Sequence, residues 1–420
     1  MPTFSSANLT QLAYKTEVTF GVTPAAGNGK DIRCTDTAGL SFSMTSAKSN
    51  EIRSDRQVSD LVLTGASASG SIPFELTYRE HDDFIQAVMQ GTWGAQTKWD
   101  GTAGTAWGTD GVGAAIPTSA TFAGTTAGTH AITAGAATSG SSIFTNLAKG
   151  QWVRISGSSN ALQNILAQVS KTVAPTATVL TFEGTPFTVA TGAGGAAVKI
   201  NTFRLTNGVT RPSFSIEREH ADIAQFFLFR GMCVNKMSLS FSSGAIATGS
   251  FDFMGKDGIR NNPAVTAMGT SAASQTYGIM NAVTGVGNIY EGGAPLTGTS
   301  IKSLKLDLDN ALRAQDAIGT LGAVGVGSGM LTVSGTMEVY LTDGTMYDKF
   351  VNNTVSSVSW SAVDTAGNGY VFTLPNVKFS DAKVTGGSLN SDAMLSMPFT
   401  ALMDPTTLKT IIIDRVGAGV

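Results

Sequence analysis

The sequence predicts a mainly β protein in which one module is used twice and a small β domain is inserted into the first copy. Three observations predict it. Apolar and polar residues alternate with period two through much of the chain, few segments carry a helical period, and blocks of the first half recur in order in the second.

At 420 residues the chain exceeds one ordinary core, which sets an expectation of two to three domains. Charged residues make up 14% of it, against roughly 25% in typical soluble domains, and Gly, Ser, Thr and Ala dominate between the apolar positions. So little charge suits a subunit buried in an assembly, a secreted β-rich protein or a repetitive scaffold, and argues against a charge-stabilised monomer. Lys and Arg number 27 against 30 acidic residues with no basic run, so tight nucleic-acid binding is not expected. The opening MPTFSSANLTQLAYK lacks a basic region followed by an apolar one, and no window approaches the roughly 20 apolar residues of a membrane span, so we expect a cytoplasmic product outside any membrane. Cys34 and Cys233 stand far apart without Cys or His at ligand spacing, which excludes a disulfide framework or zinc site and makes both buried thiols.

Along the chain, residues 1–33 read as an N-terminal arm. The first module spans 34–91 and 203–258. It opens with a strand marked by Leu40, Phe42 and Met44, runs through a loop holding Asn50, Glu51, Ile52 and Arg53, and reaches SGSIPFELTYREHDDFI at 69–85. A helix is predicted over 78–90, where Phe84, Ile85, Val88 and Met89 share a face behind Asp82 and Asp83 at the N-terminus. Neighbouring residues on a helix point about 100° apart, so these two acids are no catalytic dyad. The module closes with the hairpin MSLSFSSGAIATGSFDFMGKD at 237–257.

Between helix and hairpin lies the predicted insertion, 92–202, the kind of addition loop tips tolerate. Its opening, GTWGAQTKWDGTAGTAWGTDGVGAA, is a Gly-rich linker; KGQWVRISG, TATVLTF and AAVKI follow as short strands. Residues 259–300 carry no period and read as a linker. The second module, 301–404, repeats the order: Leu304, Leu306 and Leu308 mark a strand, Asn310 to Arg313 a loop, SGTMEVYLTDGTMYDKF at 334–350 a strand and helix, and 377–404 a closing hairpin. At constant offset Ser69 matches Ser334, Gly70 matches Gly335, Leu76 and Thr77 match Leu341 and Thr342, and Asp83 matches Asp348. Residues 405–420 read as a C-terminal arm.

Catalytic, cofactor and metal sites find no support. Gly27 to Lys30 resemble the end of a phosphate loop, but Pro24 replaces the first Gly and Asp31 the Ser or Thr that would hold magnesium. His81, His130 and His220 are isolated, no Ser occupies a Gly-x-Ser-x-Gly elbow, and the Gly-rich stretch 319–329 does not follow the dinucleotide fingerprint. Phe226, Phe227 and Phe229 read as a buried strand.

At PSFSIEREHADIAQFFLFRGMCVNKMSLSFSSGAIATGSFDFMGKD, residues 212–257, and at EIRSDRQVSDL, residues 51–61, the chain resembles the tail tube proteins of long-tailed (siphovirus-type) phages. The resemblance implies a fold of two β-sandwich or barrel modules, each with one flanking helix, whose subunits join sheet to sheet into stacked rings. It further implies assembly in the host cytoplasm, a place in the virion tail, and partners that include the tape measure, tail terminator and baseplate proteins, with DNA passing the lumen unbound. The inserted domain would sit on the tube exterior. Two modules per chain suggest that three chains close a pseudo-hexameric ring, a true hexamer being the alternative. Asn50, Arg53, Asp55, Arg56, Asn310 and Arg313 are candidate contacts between stacked rings, or ordinary solvated loop residues. The competing class is an extracellular β-rich adhesin or surface-layer subunit.

Overall fold

The computed structural model describes residues 4–94, 97–100, 120–124, 128–134, 144–158, 160–187, 193–195, 198–261, 266–283, 289–291, 294–296, 300–386 and 389–417. Most of the Gly-rich opening of the insertion, 101–115, and 196–197 of its AAVKI segment lie outside them. In chain order the elements that matter are β1 (Thr10–Thr16), β2 (Leu40–Lys48), β3 (Leu61–Glu75), α1 (Asp82–Met89), β4 (Lys199–Thr206), β5 (Phe214–His220), β6 (Gln225–Ser242), β7 (Thr248–Gly255), β8 (Asp257–Arg260), β9 (Tyr290–Glu291), β10 (Ile301–Asp309), β11 (Thr332–Tyr340), α2 (Thr345–Val351), β12 (Ser356–Val363), β13 (Gly369–Phe379), β14 (Lys383–Thr385), β15 (Met394–Ala401) and β16 (Ile412–Val416).

Strand pairing repeats between the two halves. In the first copy β2 pairs with β3, β3 with β7, and β7 with the C-terminal half of β6. In the second copy β10 pairs with β11, β11 with β15, and β15 with the end of β13 and with β14. A second sheet also recurs: β1–β5–β6–β8 in one copy, β9–β12–β13–β16 in the other. The long strands β6 and β13 thus run through both sheets of their copy, and the fold is a mainly β sandwich used twice.

Register extends the match to single residues. Gly70 lies between Leu40 and Phe253, and Gly335 between Leu306 and Phe399. A Cβ on Gly335 would meet Lys305 O at 2.2 Å and Phe399 Cζ at 2.4 Å; one on Gly70, whose φ is 147°, would meet Gly39 O at 2.0 Å. No larger residue fits either place, which is why this Gly stands in both copies.

The copies are fused edge to edge. β6 and β10 pair antiparallel from Lys236↔Asp309 to Ser242↔Ser303, so the two four-stranded sheets form one eight-stranded surface. Behind it a single apolar cluster runs through both copies. It includes the stacks Phe74 on Phe251 (4.6 Å) and Trp360 on Phe372 (5.3 Å), and the face of α1 formed by Phe84, Ile85, Val88 and Met89. The helix is shorter than the predicted 78–90. It starts at Asp82 and ends where Gln90 turns left-handed (φ 48°).

The insertion has its own core of Phe122, Ile132, Phe144, Val153, Ile155, Leu180, Phe182 and Ile200. It docks where β4 pairs with both Trp152–Ser156 and β16. The fully buried Asp414 of β16 takes a forked ion pair from Arg204 (2.8 Å at both oxygens) and the backbone N–H of Trp152 (2.9 Å).

Three segments differ from expectation. The stretches read as arms, 1–33 and 405–420, supply β1 and β16, each paired with a strand of the second sheets that lies far away in sequence, β5 and β13. The stretch read as a linker, 259–300, supplies β9 and buries Met268 and Met280. Strand β2 leaves the core as it proceeds: Leu40 is buried, Phe42 half-buried and Met44 exposed. Of the two cysteines, Cys233 is buried and Cys34 half-buried.

His81 offers a pH test of the core. Its ring stacks on Phe74 (4.2 Å), Nε2 bonds to Arg33 O (3.1 Å) and Nδ1 has no partner. Burial pushes its pKa down from 6.5 to about 4. The unfolded chain therefore takes up a proton that the folded chain refuses between those values, and stability is lost as pH falls through that window. The loss attributable to His81 is about 3 kcal/mol. Urea unfolding of unassembled protein at pH 7 and pH 4 checks it: His81→Leu should show a smaller drop than wild type, and equal drops would refute the assignment.

Candidate assembly surface: an open sheet face and two free edges

Alternation along the eight-stranded surface sends apolar side chains into the core and leaves small hydroxyl residues on the other face. Among these are Ser41, Ser69, Ser250, Ser238, Thr336 and Thr400, each on a different strand. The charges on this face are nearly balanced. Glu75, Asp252, Asp307, Asp309 and Glu338 stand among Lys236, Lys305, Lys378 and Lys383. Lys236 pairs with Asp309 (2.8 Å) across the β6–β10 seam, and Lys305 with Asp307 (3.0 Å) along β10. The lysines are exposed and the carboxylates half-buried, so these pairs neutralise the surface more than they stabilise the fold. The surface has neither a basic track for phosphates nor an apolar patch for a ligand.

Both ends of this surface are unpaired among the described residues. At one end β2 has only β3 beside it; at the other, Lys378 and Phe379 of β13 and all of β14 have only β15, while Val377 also pairs with Ser356 of β12. Ser71 N–H donates to Gly39 O (3.3 Å), which makes Leu40↔Gly70 a non-hydrogen-bonded pair. Leu40, and by alternation Phe42 and Met44, thus turn their N–H and C=O groups toward this edge, where Leu40 O accepts from Arg218 Nη1 (3.3 Å). Such an edge is a template for another strand.

Beyond the core, β2 and β3 project as a hairpin whose Met44, Leu61, Val62 and Leu63 are each more than half exposed.

A family model described as phage tail tube protein matches residues 7–401, a span that includes the first copy, the insertion and the second copy except β16. The chain belongs to the phage tail tube protein family. No curated protein matches it. As a tail tube protein it is a structural component of the virion tail that self-associates there. Among the described residues, no helix is long and apolar enough to cross a membrane.

The loop residues singled out in the sequence are not brought together in this tail tube chain. Asn50, Arg53, Asp55 and Arg56 sit at the tip of the projecting hairpin, with Arg53 and Asp55 joined as a fork (3.0 and 2.9 Å) and Arg56 left-handed at φ 57°. The Asp55 carboxyl is held below its usual range by the Arg53 guanidinium. Arg313 is exposed on the short strand Arg313–Gln315, near the start of a loop that folds back until Leu321 O accepts from Ala66 N–H (2.8 Å). Asn310 is a correction: it is 3% exposed, and its Nδ2 donates to Val88 O (2.9 Å) and Val234 O (3.4 Å). Its amide fastens the seam to the end of α1 and is not free for another ring.

Sequence reasoning missed two features. The free edge at 383–385 is too short to show a period. The alternating charges of KLDLDN, 305–310, did carry the signal of a solvated sheet face.

A buried knot ties the two copies together behind the face. Asp82, at the start of α1, accepts from Tyr370 OH (2.7 Å) on β13 and from Arg415 Nη1 on β16, while Tyr370 OH accepts Arg79 N–H (2.8 Å). The Arg415 guanidinium lies over the Phe203 ring (3.8 Å). Burial pushes the Arg415 pKa down to about 10 and raises that of Tyr370.

Proposed function

We propose that this protein builds the tail tube of a siphovirus-type phage as closed rings of three chains. In each ring the free β2 edge of one chain pairs with the free β13–β14 edge of the next. The observation that carries this reading is the β6–β10 seam. β6 corresponds to β13–β14 and β10 to β2, so the chain already contains one copy of the junction that its two ends lack. Repeating it head to tail places six modules in a closed circuit. The hydroxyl-rich, nearly neutral face then lines the lumen. DNA slides past a surface with few fixed cations to hold it, and before ejection the tape measure protein occupies the same channel. The projecting hairpin, with Asn50, Arg53, Asp55 and Arg56 at its tip, contacts the next ring. Arg313 remains a further candidate there, while the inserted domain sits outside. Tail terminator and baseplate proteins close the two ends, and assembly takes place in the host cytoplasm. The role is structural, without a catalytic step.

Negative-stain microscopy across a concentration series, with mass determination of the smallest ring species, tests the proposal. Stacked rings of three chains are the expected result. Rings of six chains would overturn the proposed closure, and a persistent monomer would favour the adhesin or surface-layer class.

A further inference from the structure

Between the inserted domain and the second copy lies a cleft of about 220 Å³. Trp152 and Arg154 approach from the strand Trp152–Ser156, with Leu166 beside them; Tyr290, Trp360 and Val371 close it from β9, β12 and β13. Trp152 and Trp360 are 2% and 1% exposed, yet neither indole Nε1–H has a hydrogen-bond partner, and neither has Arg154 Nε. These three atoms have almost no accessible surface, so what the cleft offers an incoming group is the outer end of the Arg154 guanidinium between aromatic and aliphatic walls. Arg154 forms no ion pair among the described residues, and burial lowers its pKa. The acid of the nearby turn is committed to other donors. A Cβ on Gly367 would lie 3.0 Å from Arg154 Nη2, but Asp364, which begins that turn, accepts from Ala366 N, Asn368 N and Asn368 Nδ2 (2.9, 2.9 and 3.2 Å). Asp414, on β16 beneath Trp152, is occupied by Arg204.

We propose that this cleft is a carboxylate site. A guanidinium presents a planar fork that matches a carboxylate, and the aromatic and aliphatic walls suit a small apolar body behind the anion. Two sources share that chemistry: a free small carboxylic acid, or an Asp or Glu side chain from a neighbouring copy. Only the second source rests on the assembly proposed above.

Benzoate is the probe. Titrated into unassembled wild-type protein, it should shift two of the five indole N–H resonances in a nitrogen–proton correlation spectrum, saturably, with chloride at equal ionic strength as control. Arg154→Met should weaken binding at least tenfold, and Arg154→Lys, which keeps the charge but loses the fork, should fall between. Binding to unassembled protein and formed tubes alike assigns the site to a free acid. Binding only before assembly, with Arg154→Met slowing tube formation, assigns it to a neighbour's side chain. No saturable shift in wild type, with Arg154→Met assembling normally, overturns the proposal.

Discussion

Cysteines introduced together by Ser41→Cys and Lys383→Cys are expected to lock the protein into covalent rings of three chains on mild oxidation. The register comes from the internal seam. Leu306 faces Leu239 there, and Leu239 faces Gly249, four residues before Phe253. Counting the same four from Phe399 reaches Leu395, whose partner is Val384. Leu40 holds the place of Leu306, so Val384 meets Leu40 of the next chain, and Lys383 meets Ser41. The edge strand even carries the same extra residue in both copies, between Val234 and Lys236 in one and between Phe379 and Lys383 in the other. Directly opposed Cα atoms lie about 4.5–5.5 Å apart, inside the range a disulfide spans. Ser43→Cys paired with Lys383→Cys sits diagonally, at about 7–8 Å, and should not cross-link. Background reaction is slow because burial pushes both native thiols up to about 11. Non-reducing electrophoresis reads the result. Tubes that form without the cross-link would discard this register and keep the assembly; no assembly at all would discard both.

Arg415→Leu is expected to cost about 3–5 kcal/mol, because it strands Asp82 as a buried carboxylate at the start of α1. Tyr370 OH still donates to Asp82, but one neutral hydrogen bond does not replace a guanidinium. The double change Asp82→Leu with Arg415→Leu should recover most of the loss, since removing both charges also removes their desolvation. Urea unfolding of unassembled protein measures all three. A single Arg415→Leu loss below about 1 kcal/mol would show that the pair does not hold the copies together.

Much of this architecture was legible in the residues. Leu304, Leu306 and Leu308 announced a half-buried strand, Asp82 and Asp83 marked a helix start, and Gly70 with Gly335 marked the repeat, because each is a local necessity of packing. The strands β1 and β16 were not legible. Five to seven residues give too little period, and β16 reads as an apolar run beside a charge, IIDRV, whose meaning depends on Asp82, Arg204 and Trp152, all more than 200 positions away. The open sheet face was half legible. Its Ser and Thr alternation lay open in the sequence, but only the pairing of β6 with β10 reveals that the two copies share one surface. Asn310 misled for a related reason: a polar residue after a strand reads as loop surface until Val88 and Val234 are seen to claim its amide.

The β6–β10 seam also bears on how fast tubes can grow. In a ring of three chains, every second junction between modules is completed while a single chain folds, at the high effective concentration a covalent tether provides. Ring nucleation then requires three bodies to meet instead of six. Its rate falls with at most the cube of free subunit concentration, where six separate modules would impose up to the sixth power. A tail built this way can start at the low subunit levels of early production, and growth begins before the pool has filled.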